Sequence, residues 1–144
     1  MSDGRVVGFT AGVFDLFHVG HLNLLEESRK RCDWLVVGVI ADEVVETFKH
    51  VKPFVCTEER ARIVGALKCV DEVVVIRDER YLSKVAVWYD HPFDVTFTGD
   101  DHEGEPFWQD EEQMLATLGA RIEYLPYTRG TSSTQLRAAL RDRA

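Results

Sequence analysis

Cysteine is scarce and unpaired in this chain: Cys32, Cys56 and Cys69 are three in number and scattered along 144 residues. That excludes a disulfide framework and a zinc cage built on cysteine pairs, and it suits a reducing compartment. Long apolar runs are lacking too. No stretch nears the roughly 20 residues that cross a bilayer, and the first residues carry no basic segment followed by an apolar core. The expectation is a cytoplasmic protein with no membrane partner. Positive charge is also short, because 17 Lys and Arg against 25 Asp and Glu leave a net charge of -8. Such a balance disfavours non-specific nucleic-acid binding, so an anionic ligand must be drawn by a local basic site. Hydrolase signatures are missing as well: there is no nucleophile elbow and no Ser-His-Asp or Cys-His set with a local pattern. With no repeat, low-complexity tract or linker, residues 1–144 read as one domain.

What remains is an alternation of strand and helix. Short apolar segments rich in β-branched residues lie near residues 6–10, 34–40, 72–76, 94–98 and 121–125. Helical patterns lie between them, at 22–31, 57–68, 80–90, 109–118 and 133–141, with Thr57 placed as an N-cap ahead of Glu58 and Glu59. Strands alternating with helices predict an α/β fold, a Rossmann-like doubly wound five-stranded parallel sheet. In such sheets ligands bind beyond the carboxyl ends of the strands, at the switch in strand order.

The richest segment is Gly12-Val13-Phe14-Asp15-Leu16-Phe17-His18-Val19-Gly20-His21. It follows the first strand and opens the first helix. A helix N-terminus offers unpaired N–H groups and partial positive charge. His18 and His21 are three apart on one helix face, and Gly20 has no Cβ to hold a bulky anion away. This suits a polyphosphate. Read from the residues alone, ordinary capping histidines fit as well, whereas a metal site lacks a third ligand at a convincing spacing.

His18-x-Gly20-His21, with Gly-x-Phe-Asp before it, resembles the signature of the nucleotidyltransferase superfamily that carries the HxGH motif. Within it the chain looks most like the small cytidylyltransferases, of which glycerol-3-phosphate cytidylyltransferase is the type. The resemblance runs from about Val6 to Leu140. It includes Glu59-Arg60 with Val70-Asp71-Glu72-Val73, then Gly99-Asp100-Asp101, then Thr128-Arg129-Gly130-Thr131-Ser132-Ser133-Thr134.

The resemblance implies transfer of CMP from CTP, with Mg2+, to a small phospho-alcohol such as glycerol 3-phosphate. Pyrophosphate is released and no covalent enzyme intermediate is needed. It makes His18, His21 and Lys49 the catalytic residues, with Lys49 on a mobile loop after the second strand. Nucleotide contacts fall to Gly12, Val13, Phe14, Asp15, Gly20, Asp100, Tyr127, Thr128, Gly130, Ser132, Ser133 and Thr134. Arg60 and Lys68 are assigned to the acceptor phosphate, and Asp100 is the candidate metal ligand. Bland alternatives stand beside several of these: an Asx-turn role for Asp15, a solvated Lys49, and a helix-face salt bridge for Arg60. The block at residues 70–75 resembles one used between subunits, which implies a homodimer. Four positions depart from the type: Val13 replaces a threonine, Lys68 and Tyr127 replace arginines, and His102 replaces a tryptophan. Lysine and tyrosine cannot reproduce a guanidinium fork, so the acceptor is what these changes leave open. Adenylyl transfer and a nucleotide-binding module without turnover are the alternative functions.

Overall fold

The computed structural model describes residues 4–126, 128 and 132–143. Five strands, β1 (Val7–Gly12), β2 (Trp34–Ile40), β3 (Glu72–Ile76), β4 (Val95–Gly99) and β5 (Arg121–Leu125), form one sheet in the order β3-β2-β1-β4-β5. Every pairing is parallel. Among the described residues six α-helices connect or follow them: α1 (Val19–Arg29), α2 (Asp42–Lys49), α3 (Thr57–Gly65), α4 (Lys84–Asp90), α5 (Pro106–Thr117) and α6 (Ser133–Arg143). None is long and apolar enough to cross a membrane. This is the expected doubly wound α/β sheet.

Strand periodicity splits the core in two. In β2, Leu35, Val37 and Val39 point to one face and pack with Leu25 of α1 and Val64 of α3. Ile40 packs on the other face, with Val44 and Val45 of α2, Val85 and Val87 of α4 and Leu115 of α5. Both faces are therefore covered, as an all-parallel sheet requires.

Register is pinned by aspartates placed just ahead of three strands. Asp33 accepts from the Val6 N–H, Asp71 from the Leu35 N–H and Asp94 from the Val7 N–H, each at 2.8 Å. Each carboxylate satisfies an amide that the start of a neighbouring strand would otherwise leave unpaired.

Several helices differ from their sequence expectation. The segment read as a mobile loop after β2 is α2, with acidic Asp42 and Glu43 in its first turn and Lys49 as its last residue. Its eight residues include Val44, Val45 and Thr47, whose stiff side chains weaken a helical signal. Thr57 is not an N-cap but the first residue of α3. Its hydroxyl accepts from the Asp42 N–H at 2.9 Å while the Asp42 carboxylate accepts from the Thr57 N–H at 3.3 Å, tying the starts of α2 and α3 together. The predicted 80–90 helix divides into a 3-10 turn, Glu79–Leu82, and α4 capped by the Ser83 hydroxyl.

The order β3-β2-β1-β4-β5 reverses direction between β1 and β4. A crevice is expected beyond the carboxyl ends of those two strands.

Candidate functional site

A cleft of about 360 Å³ opens at that point. Its floor is Ala11 and Gly12 at the end of β1 and Thr98 and Gly99 at the end of β4.

The turn after β1 makes one wall. Phe14 and Leu16 hold left-handed backbone, φ 57° and 51°, which costs bulky L-residues about 1–2 kcal/mol each. Packing offsets this, since Phe14 is buried in the core beneath α1. Between the two lies Asp15, 1 % exposed, whose carboxylate accepts from the Phe54 and Val55 N–H groups at 2.9 Å each and pairs with Arg137 of α6 at 3.2 Å. Asp15 thus joins the turn, the loop before α3 and the last helix.

His18 then caps α1. Its Nδ1 accepts from the Gly20 N–H at 3.0 Å, and the His18 N–H donates to Nδ1 of His21 at 3.2 Å. This is a capping box built from imidazoles rather than hydroxyl and carboxylate. The rings stack with centroids 4.0 Å apart. With each Nδ1 accepting, the proton of each neutral ring sits on Nε2, so both rings offer a donor to the cleft. Burial pushes the His21 pKa down to about 4, helped by His18 and Lys49 and opposed by Asp15. Burial also lowers that of His18. Both rings are therefore neutral donors at pH 7. Gly20 matters for a reason other than making room for an anion: a Cβ there would lie 2.8 Å from Cε1 of His18 and drive the capping ring away.

The opposite wall comes from the far end of the chain. Ser132, Ser133, Thr134 and Arg137 line the cleft with Thr128 and Pro126. The Ser133 hydroxyl donates to the Asp15 carbonyl at 2.5 Å and lies 3.5 Å from Nε2 of His21. Asn23 of α1 donates to the Thr128 hydroxyl at 3.2 Å, bridging the two walls. Lys49, at the end of α2, lines the cleft too. Desolvation of its ammonium lowers its pKa, as does Arg137, while Asp15 opposes them.

Of the residues singled out from sequence, His18, His21, Lys49, Gly12, Val13, Phe14, Asp15, Gly20, Thr128, Ser132, Ser133 and Thr134 share this one cleft. Tyr127 and Gly130 lie outside the described residues. Three others are placed differently. Arg60 is 1 % exposed and commits every guanidinium N–H to protein: Nε to Val55 O, Nη1 to Val13 O and Ile40 O, Nη2 to Asp42 and Thr57. No donor is left for an acceptor phosphate. Lys68 is exposed on the turn leading into β3, at the amino edge of the sheet and opposite the cleft. Asp100 starts the 3-10 turn Asp100–His102, but Asp101 and His102 are the residues of that turn that line the cleft. Arg137 was missed by sequence reasoning. Its signal was the spacing of four from Ser133, which puts both on one face of α6.

The sequence model of the family described as cytidylyltransferase-like matches residues 9–139. Relatives include the bifunctional protein HldE of Syntrophotalea carbinolica, 33% identical over 141 residues covering 97% of this chain and 28% of that protein. The same-named protein of Granulibacter bethesdensis is 34% identical over 132 residues, covering 91% and 26%. The chain thus spans about a quarter of the length of these relatives. A lipopolysaccharide core biosynthesis protein from Thermoplasma volcanium superposes with a TM-score of 0.71 at 23% identity, covering 89% of this chain and all of that one. Pantoate-beta-alanine ligase from Francisella tularensis gives 0.65 at 12% identity, covering 95% and 69%. At these identities the structures share the fold.

Proposed function

The chain belongs to the cytidylyltransferase-like family, and from that premise we propose that it joins CMP from CTP to a small phospho-alcohol with release of pyrophosphate. One observation carries the reading: two neutral imidazoles, stacked at 4.0 Å and fixed through Nδ1 to one helix N-terminus, offer two Nε2 donors opposite a serine-rich wall.

In the proposed reaction an acceptor phosphate oxygen forms a bond to the α-phosphorus. The bridging bond between the α- and β-phosphates breaks, and its electron pair leaves with pyrophosphate. The attacking oxygen is already anionic at neutral pH, so alignment and charge stabilisation do the catalysis. His18 and His21 donate to α-phosphate oxygens as they gain charge. Lys49 and Arg137 supply the positive charge that a protein of net charge -8 otherwise lacks. Ser132, Ser133 and Thr134 face the β- and γ-phosphates from the start of α6, with the Ser133 hydroxyl held by the Asp15 carbonyl and the Ser132 hydroxyl by the Gln135 N–H. Magnesium belongs to the proposal as the partner of the triphosphate. Among the described residues no three His, Cys, Asp or Glu side chains form a metal cage, which fits an ion held mainly by phosphate oxygens with one carboxylate such as Asp101. A homodimer through the β3 edge, with its block at residues 70–75, completes the proposal; sedimentation of the purified chain tests it.

Adenylyl transfer is the second reading. It would use the same imidazole donors and the same phosphate wall with a different base. Pyrophosphate release measured with CTP or ATP, magnesium and a panel of phospho-alcohols decides between them. CTP-dependent release is expected; release with ATP alone transfers the assignment to adenylyl chemistry, and release with no pair rejects turnover.

A further inference from the structure

The end of α2 and the segment leading to α3 carry surface that neither the core nor the phosphate chemistry uses. Residues 48–54 read Phe-Lys-His-Val-Lys-Pro-Phe, and Phe48, Val51 and Phe54 are 41%, 41% and 51% exposed. Of the nine large apolar side chains exposed among the described residues, three thus fall within seven positions. Single apolar residues on a surface are ordinary, whereas a cluster beside a cleft marks a place for a ligand or partner. The same stretch is locally basic: residues 47–57 hold no Asp or Glu, in a chain that has 25, but include Lys49, His50 and Lys52.

Backbone contacts hold this cluster at the cleft. Asp15, a cleft residue, accepts from the Phe54 and Val55 N–H groups at 2.9 Å each, and Val55 O accepts from Nε of Arg60 at 2.8 Å. Pro53 is buried, yet Phe54 beside it is turned out. At the other end the Lys49 ammonium, which also belongs to the cleft, lies 5.9 Å from the centre of the Phe48 ring. His50 then ends α2 in left-handed backbone, φ 60°. Polar groups close by are already engaged. The Thr47 hydroxyl donates back to Val44 O at 2.6 Å, and the Arg60 guanidinium is committed to protein. Val13, whose carbonyl Arg60 holds, presents an apolar side chain to the cleft.

Cations interleaved with apolar side chains match a ligand that is anionic at one end and apolar at the other. We infer that residues 48–54 bind the acceptor, and that the acceptor is a soluble phosphomonoester with an apolar organic group, an alkyl or aromatic phosphate rather than a polyhydroxylated one. Lys49 and Lys52 attract its phosphate, while Phe48, Val51 and Phe54 cover the organic group. Hydroxyls laid against that surface lose hydrogen bonds to water that apolar side chains do not replace. An anionic bilayer also joins negative charge to apolar character, but a chain of net charge -8 is repelled from it. This rests on the nucleotidyltransferase reading and specifies the acceptor that the reading leaves open.

Pyrophosphate release with CTP or ATP and magnesium, measured against methyl, propyl and butyl phosphate and glycerol 3-phosphate, tests this in the wild type, Phe48→Ser and Phe54→Ser. Propyl phosphate and glycerol 3-phosphate share a three-carbon chain and differ by two hydroxyls. The wild type is expected to use propyl phosphate with a kcat/KM about fivefold or more above that for glycerol 3-phosphate. Each added methylene should give about twofold, because full burial of one is worth about fourfold and this rim is half exposed. Both variants are expected to bring the propyl-to-glycerol ratio within about twofold while calorimetry finds their CTP affinity unchanged, which also shows that they fold. Glycerol 3-phosphate used as well as propyl phosphate overturns the proposal, as does a flat chain-length series or a ratio unchanged in both variants. Sedimentation with phosphatidylglycerol vesicles is expected to leave the chain in solution; binding that Phe54→Ser abolishes assigns the cluster to a bilayer instead. A wild type that releases no pyrophosphate with any acceptor, glycerol 3-phosphate included, overturns the nucleotidyltransferase reading itself.

Discussion

Replacing Arg60 by alanine separates two roles that the family pattern and the fold assign to the same side chain. As a ligand for an acceptor phosphate its loss raises KM and leaves stability alone. As the buried tie seen here, its loss does the reverse. The guanidinium is fully buried, 2.6 Å from Asp42 and 2.7 Å from the carbonyls of Val13 and Ile40. Those carbonyls follow β1 and end β2, so Arg60 clamps the strand ends that carry the histidine turn and α2. Removing one partner of a buried pair costs about 3–5 kcal/mol, and each orphaned carbonyl adds to it at about 1–3 kcal/mol unless water enters. Taking about 4 kcal/mol as the net, Tm should fall by about 10 °C for a domain of this size. Arg60→Lys should fall between, since an ammonium keeps the charge with three donors where five are used. Urea and thermal unfolding of both variants, with KM measured on the fraction that remains folded, provide the assay. A change under about 1 kcal/mol with KM raised tenfold would refute the argument.

Three further outcomes follow from the same geometry. His18→Asn retains a side-chain oxygen to cap the Gly20 N–H but removes the Nε2 donor; turnover should fall about 100-fold or more with nucleotide Kd little changed, and equal losses in both would show that His18 only holds ligand. His21 titrates near 4 in the folded chain against an ordinary 6.5, so between those values the unfolded chain takes the proton and the folded one does not. Its contribution to stability is complete above about pH 6.5 and is lost as pH falls toward 4, by about 1–2 kcal/mol once solvent screening of a partly exposed ring is allowed. Histidine NMR titration and pH-dependent unfolding check this, and a His21 midpoint near 6.5 would contradict it. Arg137→Gln leaves the buried Asp15 carboxylate with its two backbone donors alone; triphosphate affinity should drop about tenfold by calorimetry and stability by about 1–3 kcal/mol, whereas unchanged affinity would remove Arg137 from the site.

How much was legible in advance depended on whether a feature is local. The histidine turn could be read because a strand, a glycine-bearing turn and a helix start are consecutive in the chain. The Ser132-Ser133-Thr134 wall was read from its hydroxyl density and its resemblance, and the alternation of apolar segments announced the parallel sheet. α2 was missed because eight residues with adjacent β-branched side chains read as a loop, although Val44 and Val45 against Asp42, Glu43 and Glu46 already mark one apolar side.

Sequence alone determined the order of elements, the two imidazoles on one helix face and the charge deficit that demands a local basic site. Only the tertiary structure decided which of the matching residues face the cleft. It turned Arg60 inward to satisfy carbonyls from β1 and β2 and left Lys68 at the far edge of the sheet. It also brought Arg137 to Asp15 across 122 positions of chain. Direction and burial are set by contacts between segments distant in sequence, whereas a motif records only residue types and their local spacing.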